Sequence, residues 1–416
     1  MAEASGTRRR EAGMPFILVT VLLDMVAIGL IVPVLPLIVG RFTASPTEQT
    51  FWFGAVTFTF GVANFFASPI LGALSDRYGR RPVLLLGFCG LATSFIVTGL
   101  ATALWMLIAV RLVSGAMQAN AAVANAYVAD ITAPADRARR FGLLGAMFGI
   151  GFILGPAMGG LLGAIDIHLP FFAAGTLAIA NWLYGFFVLP ESLPPERRRA
   201  FEWRRANPFA ALRRLGALKG VGPLIAVIAL ANLAQFTLHS SWVLHNTFKF
   251  GWGPAENGWS LFVVGVMSAL VQGVLLRHLL KRFSPQRLAT VGLIASALTY
   301  LGFGLATQGW MIFVVIVVGT LLGGGAQAAI QSLVSNAADA HSQGQTAGSV
   351  ASLTSLMAVL APTIAAPLLG IVSHLPRGDM RIGLPFFFCA LLQAAGAIIA
   401  FLHFRRQRAG HAPATA

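Results

Sequence analysis

Twelve apolar runs, each long enough to cross a bilayer, constrain this chain more than any other feature. They fall near residues 14–39, 51–74, 83–103, 105–131, 140–164, 169–189, 221–246, 257–280, 287–307, 309–337, 345–373 and 383–404. About twenty apolar residues is the length a helix needs to span the hydrocarbon core. Within lipid, every backbone N–H and C=O has to be satisfied inside the structure, and a helix does this segment by segment. Barrel strands would be about ten residues long with alternating polarity, a pattern these runs do not follow. With 57% hydrophobic residues among 416 and a mean hydropathy of +0.77, a soluble globule would not hide so much apolar surface. The expected fold class is all-α and integral to the membrane, with twelve transmembrane helices in two six-helix halves.

The charges are few and unevenly placed. Formal net charge is +15, yet only 10% of residues are charged. The positive residues do not form one patch; they alternate with the helices, which excludes nucleic acid as a partner. With the N-terminus in the cytoplasm, 24 of the 29 lysines and arginines fall on inside segments. Outside loops would hold Arg41, Lys249, Arg377 and Arg381, and Arg111 lies deep in a helix. Cytoplasmic loops of membrane proteins carry this excess, so a multi-pass protein of the cell inner (plasma) membrane with both termini cytoplasmic is expected. The basic segment Arg197–Lys219 reads chiefly as part of that topology signal, with contact to anionic head groups as a second role. Cys89 and Cys389 read as small core residues, with no disulfide or metal framework. The run after Arg8-Arg9-Arg10 is too long for a signal peptide and contains Asp24 and two prolines, so it reads as a retained first helix.

One long polar interruption, residues 190–220, divides the helices six and six. The expected organisation is a cytoplasmic tail (1–13), an N-terminal half (14–189), a cytoplasmic linker (190–220), a C-terminal half (221–404) and a second cytoplasmic tail (405–416). Weak internal repeats relate the halves. Gly72 and Gly273 sit near the ends of helices 2 and 8, with Arg80-Arg81 and Lys281-Arg282 at the same offset, and Gly155-Pro156 in helix 5 parallels Ala361-Pro362 in helix 11.

Several constellations carry chemistry. The first is a tight charged turn between helices 2 and 3, Gly72-x-x-x-Asp76-Arg77-x-Gly79-Arg80-Arg81. Gly72 and Gly79 suit close helix approach and a sharp turn. Asp76 is placed to meet a helix N-terminus or an arginine. Arg77, Arg80 and Arg81 can pair with carboxylates, and Asp130 at the end of helix 4 is the natural partner for one of them. The cluster reads as a conformational gate, against the plainer reading of a topology signal. The second is Asp24, about a third of the way along helix 1. A charge at the bilayer centre costs about 2.5–3.5 kcal/mol on insertion scales, and intramembrane ionisable groups are functional by default. A carboxyl there suits proton exchange, against the alternative of a structural acid bonded to a neighbouring helix. Arg111 shares a face of helix 4 with Gln118, seven residues on. It would set the proton affinity of a nearby carboxyl or pair with it across helices 1 and 4. In helix 5, Gly151, Gly155, Pro156, Gly159 and Gly160 permit close crossing and a kink. Asn64, Gln118, Asn120, Asn232, Gln235, His239 and Gln272 are candidates for a substrate cavity, each also able to act as interhelical glue. His239 reads as near the outer end of helix 7.

These stretches resemble a known family. The charged turn is similar to the cytoplasmic loop signature of major facilitator transporters, and the glycines of helix 5 resemble the antiporter motif of their drug-exporting members. Nearly the whole chain, from Met14 to about Phe404, resembles the tetracycline-resistance branch of drug–proton antiporters. The carrying residues are Leu23-Asp24…Gly29-Leu-Ile-Val-Pro33-Val-Leu-Pro36, Leu71 to Leu86 through the charged turn, Leu104-Trp105-Met106…Arg111-Leu112…Ser114-Gly115, and Phe250-Gly251-Trp252. The resemblance implies two parallel six-helix halves with a substrate site near the midplane, a turn that latches the halves in the outward-open state, and an Arg in helix 4 tied to proton coupling. Three positions depart from that branch: Ser94, Ser268 and Ser296 stand where the resemblance implies Asp, His and Asp. A less cationic cargo than a metal chelate of tetracycline is then expected, with proton handling resting on Asp24 and Arg111.

The leading expectation is proton-coupled efflux of small amphipathic drugs by alternating access. The chain would work as a monomer, without metal or cofactor, driven by the proton motive force at about 2.3 kcal/mol per charge per 100 mV. No Walker-type Gly-x-x-x-x-Gly-Lys is present, and no enzymatic activity is expected. The alternatives are a proton-coupled uptake symporter for a nutrient and a non-transporting membrane receptor or scaffold.

Overall fold

The computed structural model describes residues 2–118, 120–133, 136–202, 207, 209, 222–336 and 343–410; the side chains of 2–12, 120, 121, 138, 335, 336, 343–348 and 407–410 also fall outside the description. Among the described residues there is no strand, and twelve helices are long and apolar enough to cross a membrane. They are α1 (Gly13–Gly40), α2 (Pro46–Tyr78), α3 (Arg80–Gly99), α4 (Leu104–Ile131), α5 (Arg139–Ile165), α6 (Leu169–Val188), α7 (Gly222–Phe250), α8 (Pro254–Arg282), α9 (Pro285–Leu305), α10 (Gly309–Val334), α11 (Ser349–Val372) and α12 (Met380–Arg406). Most of the basic segment Arg197–Lys219 and the last six residues lie outside the described residues.

The apolar runs place these helices well, and the differences have local causes. α1 loosens at Val32–Val34, where Val32 N–H bonds Gly29 O at 3.2 Å in a tighter turn; Pro33 has no N–H to offer and its ring crowds the preceding turn. α8 contains a π-helical turn at Val271–Leu275, a feature that often marks functional sites. α9 starts on Ser284, whose hydroxyl accepts the Arg287 N–H, with Pro285 at the first helical position. Two expectations are corrected. Helix 2 does not stop at the charged turn but continues through it to Tyr78, leaving Gly79 as the junction. Lys249 is not in an outer loop: helix 7 runs on to Phe250, and Lys249 is buried there, its Nζ donating to Gly304 O at 2.6 Å. Gly251 then ends the helix at φ 72°, a left-handed conformation that glycine adopts freely.

The chain forms two compact units. The first comprises residues 1–45, 55–208 and 252–265, the second 46–54, 209–251 and 266–416. The first unit is centred on Ile17, Val21, Leu84, Phe88, Val123, Tyr127 and Leu144. The second is centred on Val227, Ile228, Ala289, Leu293, Ala329, Ile330 and Ala397. Polar contacts supplement apolar packing in both. Asn181 of α6 donates to Thr20 O of α1 at 3.0 Å in the first, and Thr47 and Ser373 hydroxyls meet at 2.9 Å in the second. Cys389 is buried, as expected, but Cys89 is exposed and is no core residue.

Candidate functional site

Asp24 sits on α1 with 6% of its surface exposed. It lines a small cavity walled by Val21 and Met25 of α1, Leu84 and Phe88 of α3, Ala124 of α4 and Phe148 of α5. The space holds about one water molecule. Every other lining side chain is apolar, and among the described residues Asp24 makes no hydrogen bond or ion pair. One turn earlier, the Thr20 hydroxyl is also buried without a partner, as is Oδ1 of Asn181. Asn181 was not among the sequence candidates; a lone amide in the apolar run of helix 6 was its signal.

Arg111 is buried on α4, but no ion pair within 4.0 Å joins it to Asp24 among the described residues. Asp24 lies eleven residues from the start of α1, and Arg111 lies seven from the start of α4, which runs the opposite way. At 1.5 Å per residue their levels differ by roughly 13 Å, so the direct pair considered from the sequence is not formed here. Gln118 caps the helical segment that carries Arg111 and is half-buried.

The charged junction is built around Gly79 and Arg80. Gly79 has φ 105°, and a Cβ there would strike the Glu191 carboxylate. Arg80 is buried and bridges two acids: Nη1 lies 2.6 Å from Asp76, and Nε donates to Asp130 at 3.0 Å. Nη1 also donates to Ser75 Oγ at 2.6 Å. The partnership with Asp130 was legible in the sequence. The dominant role of Glu191 was not. Its carboxylate accepts the backbone N–H groups of Arg80 (2.9 Å), Arg81 (3.3 Å), Ser192 (2.9 Å) and Leu193 (3.0 Å). Glu191 thus compensates the open N-terminus of α3, where a carboxylate is favoured. An acid just beyond helix 6, on the same side as the arginines, was the available signal. Arg81 donates to Phe186 O and lies over that ring, and Arg77 lies over Tyr78; neither guanidinium pairs with a carboxylate among the described residues. Gly72 is also corrected: among the described residues nothing lies within 4 Å of a Cβ added there, so no close helix approach is seen at it.

The helix 5 glycines do pack closely. A Cβ on Gly155 would lie 2.6 Å from Gly29 Cα, one on Gly151 3.1 Å from Val26 N, and one on Gly159 2.8 Å from Leu30 Cα. These three form one face against α1. Gly160 and Pro156 turn to the first residues of α8, where a Cβ on Gly258 would meet Pro156 O at 2.6 Å. Among the described residues, Gly145 and Gly149 in the same run meet nothing within 4 Å.

The remaining polar candidates divide. Asn64 is half-buried on α2, and the Asn120 side chain lies outside the described residues. Asn232 is glue: its amide donates to Ile228 O at 2.9 Å and to Thr354 Oγ1 of α11 at 3.4 Å. Gln272 is exposed on the π-helical turn. Gln235 and His239 are joined, Nε2 to Nε2 at 3.0 Å, and Tyr300 of α9 donates to Gln235 Oε1 at 3.0 Å. His239 lies eleven residues before the end of α7, near mid-helix rather than near the outer end. His245 escaped the sequence reading, which took Lys249 only for an outer-loop cation. His245 is fully buried against Phe386, with ring centres 4.3 Å apart, and among the described residues its Nε2 has no partner. Beyond α11, Arg381 donates to Asp379 through side chain and backbone and, with Lys249 nearby, holds that carboxyl down at about 2. Ser94 and Ser296 donate to carbonyls of their own helices, Gly90 at 2.7 Å and Gly292 at 2.8 Å, and Ser268 is half-buried on α8.

Known proteins resemble this chain. Residues 17–362 match the family model of the Major Facilitator Superfamily. The class C tetracycline resistance protein of Escherichia coli is 39% identical over 348 residues, covering 84% of this chain and 87% of that protein. The class B protein of Escherichia coli is 33% identical over 384 residues, covering 90% and 93%. Among solved structures, a bacterial homologue of the human lysosomal transporter Spinster superimposes with a TM-score of 0.76 at 16% identity, covering 95% of this chain and 97% of that one; at that identity the likeness speaks for the fold. The chain belongs to the Major Facilitator Superfamily, in the branch that holds the tetracycline resistance proteins.

Proposed function

We propose that this protein exports small amphipathic drugs in exchange for protons by alternating access, as a multi-pass inner-membrane protein with both termini cytoplasmic. It works as a monomer and needs no cofactor beyond the proton motive force. The observation that carries the reading is Asp24: a single carboxyl, unpaired among the described residues, in an apolar cavity of about one water in size. A proton fits that space and a drug does not. Arg111, on another level of the same unit, acts on Asp24 through the field rather than by contact. The junction at Gly79 and Arg80, braced by Asp76, Asp130 and Glu191, is the gating element. The close α1–α5 contact, made where the antiporter motif lies, supports exchange over uptake. The relatives are named for tetracycline resistance, so tetracycline is the first drug to test. The own-helix bonds of Ser94 and Ser296 favour cargo recognised without a countercharge.

The test is a susceptibility panel in an efflux-deficient host, comparing tetracycline with neutral and cationic drugs, each with and without an uncoupler. Uncoupler-sensitive resistance to at least one drug is expected. Wild-type protein in the membrane with resistance to none of them would overturn the reading, and pH-dependent accumulation of a nutrient would favour uptake instead.

A further inference from the structure

We infer that Gln235, His239 and Tyr300 form a hydrogen-bond recognition site that presents one N–H to an oxygen acceptor on the exported drug. The inference rests on the efflux reading and specifies the chemistry of its cargo.

The geometry fixes the direction of the bonds. Tyr300 donates its hydroxyl proton to Gln235 Oε1. The other end of that amide is a donor, so the nitrogen it meets, Nε2 of His239, is the acceptor. The imidazole proton then sits on Nδ1. Among the described residues, Nδ1 has no partner. A histidine serving only as glue would be buried with both nitrogens engaged, as Asn232 is buried with its amide engaged. His239 is instead exposed at mid-helix. An exposed polar side chain at that depth faces a water-filled cavity or the bundle interior rather than lipid. Phe236, with its ring centre 6.3 Å from that of His239, adds an aromatic edge beside the donor. No Asp or Glu lies in the membrane interiors of α7 or α9–α12, and Glu256 occupies the first turn of α8, where it accepts the Gly253 N–H. The site therefore has a donor and an aromatic wall but no countercharge. It suits a ring-bearing molecule with a carbonyl, enol or enolate oxygen.

Two substitutions separate the nitrogens. His239→Asn keeps an N–H near the Nδ1 position, whereas His239→Gln keeps a polar group near Nε2 and removes the donor. Transport of tetracycline, which carries keto and enol oxygens, and of ethidium, a cation without them, is measured in everted membrane vesicles under an imposed pH gradient. His239→Gln should raise the apparent KM for tetracycline about tenfold with little change in maximal rate, the loss of one useful hydrogen bond. His239→Asn should stay within about threefold of wild type, and Tyr300→Phe, acting through Gln235, should fall between them. Ethidium kinetics should not distinguish Gln from Asn. Equal KM values for the two His239 variants would overturn the inference, as would a wild type that moves ethidium but not tetracycline; both leave proton-coupled efflux standing. A wild type that moves neither probe in response to the gradient defeats the efflux reading and this inference with it.

Discussion

The two units use polar groups in opposite ways. In the first, a single carboxyl is enclosed by Val21, Met25, Leu84, Phe88, Ala124 and Phe148, and among the described residues nothing around it compensates a charge. In the second, one set of membrane-embedded polar groups is neutral and joined together, the chain from Tyr300 through Gln235 to His239. An isolated acid is suited to changing its charge, while a connected neutral network is suited to holding a shape and offering a bond. On the proposed reading, proton exchange belongs to the first unit and recognition of cargo to the second.

The sharpest way to break that division is Asp24→Asn. It removes the one group in the α1 cavity able to exchange a proton and alters little else. Resistance in growing cells should fall to the level of vector-only controls while membrane abundance is unchanged. Full uncoupler-sensitive efflux by this variant would remove the basis of the comparison. Next in size is Arg80→Ala, which removes the hydrogen-bond hub that Asp76, Asp130 and Ser75 share. Losing hydrogen bonds to charged groups of this kind costs about 1.5–3 kcal/mol, toward the lower end here because the Asp76 side chain is 44% exposed. Thermal unfolding of purified protein should show that loss, with Arg80→Lys recovering less than half, because an ammonium cannot serve Asp76, Asp130 and Ser75 in the geometry of a guanidinium.

A smaller effect probes the wall between α1 and α5. Gly155→Ala puts a methyl 2.6 Å from Gly29 Cα, and overpacking of this kind costs about 1–3 kcal/mol. Gly149→Ala, on the open side of the same helix, should stay within about 0.5 kcal/mol. Equal losses in the two variants would show that general helix flexibility, rather than the α1 contact, is what the glycines supply. The smallest effects belong to Ser94→Ala and Ser296→Ala, since both hydroxyls bond only to their own helices. Each should change unfolding by no more than about 0.5 kcal/mol and leave drug transport unaltered. A clear transport defect in either would return these positions to the list of cargo contacts.

How much of this was legible before the fold was seen depends on the kind of signal. Helix number and order follow from apolar runs, because lipid imposes one length on every span. Helix ends were less legible where a charged segment simply continues a helix, as at Asp76 and Arg77, or where a buried carbonyl takes in a cation, as at Lys249. Asp24 stood out because an acid in a membrane helix has few explanations. Asp130 could be matched to an arginine by its place at the end of helix 4, on the side expected for the arginines. Glu191 could not, because its partners are backbone N–H groups, which leave no mark on composition. The glycines of α5 could be read as packing residues, but not which of them face α1, since Gly149 and Gly151 differ by two positions and only one is in contact. The link between His239 and Tyr300 joins positions sixty-one residues apart in sequence and needed the fold.

The most direct test of the division of labour is drug counterflow in proteoliposomes containing Asp24→Asn. With labelled drug outside, unlabelled drug inside and no pH gradient, exchange needs cargo recognition but no net proton movement. The predicted result is counterflow near the wild-type rate together with no accumulation when a pH gradient is imposed. Accumulation driven by the gradient at the wild-type level, or loss of counterflow in a folded Asp24→Asn protein, would contradict the account.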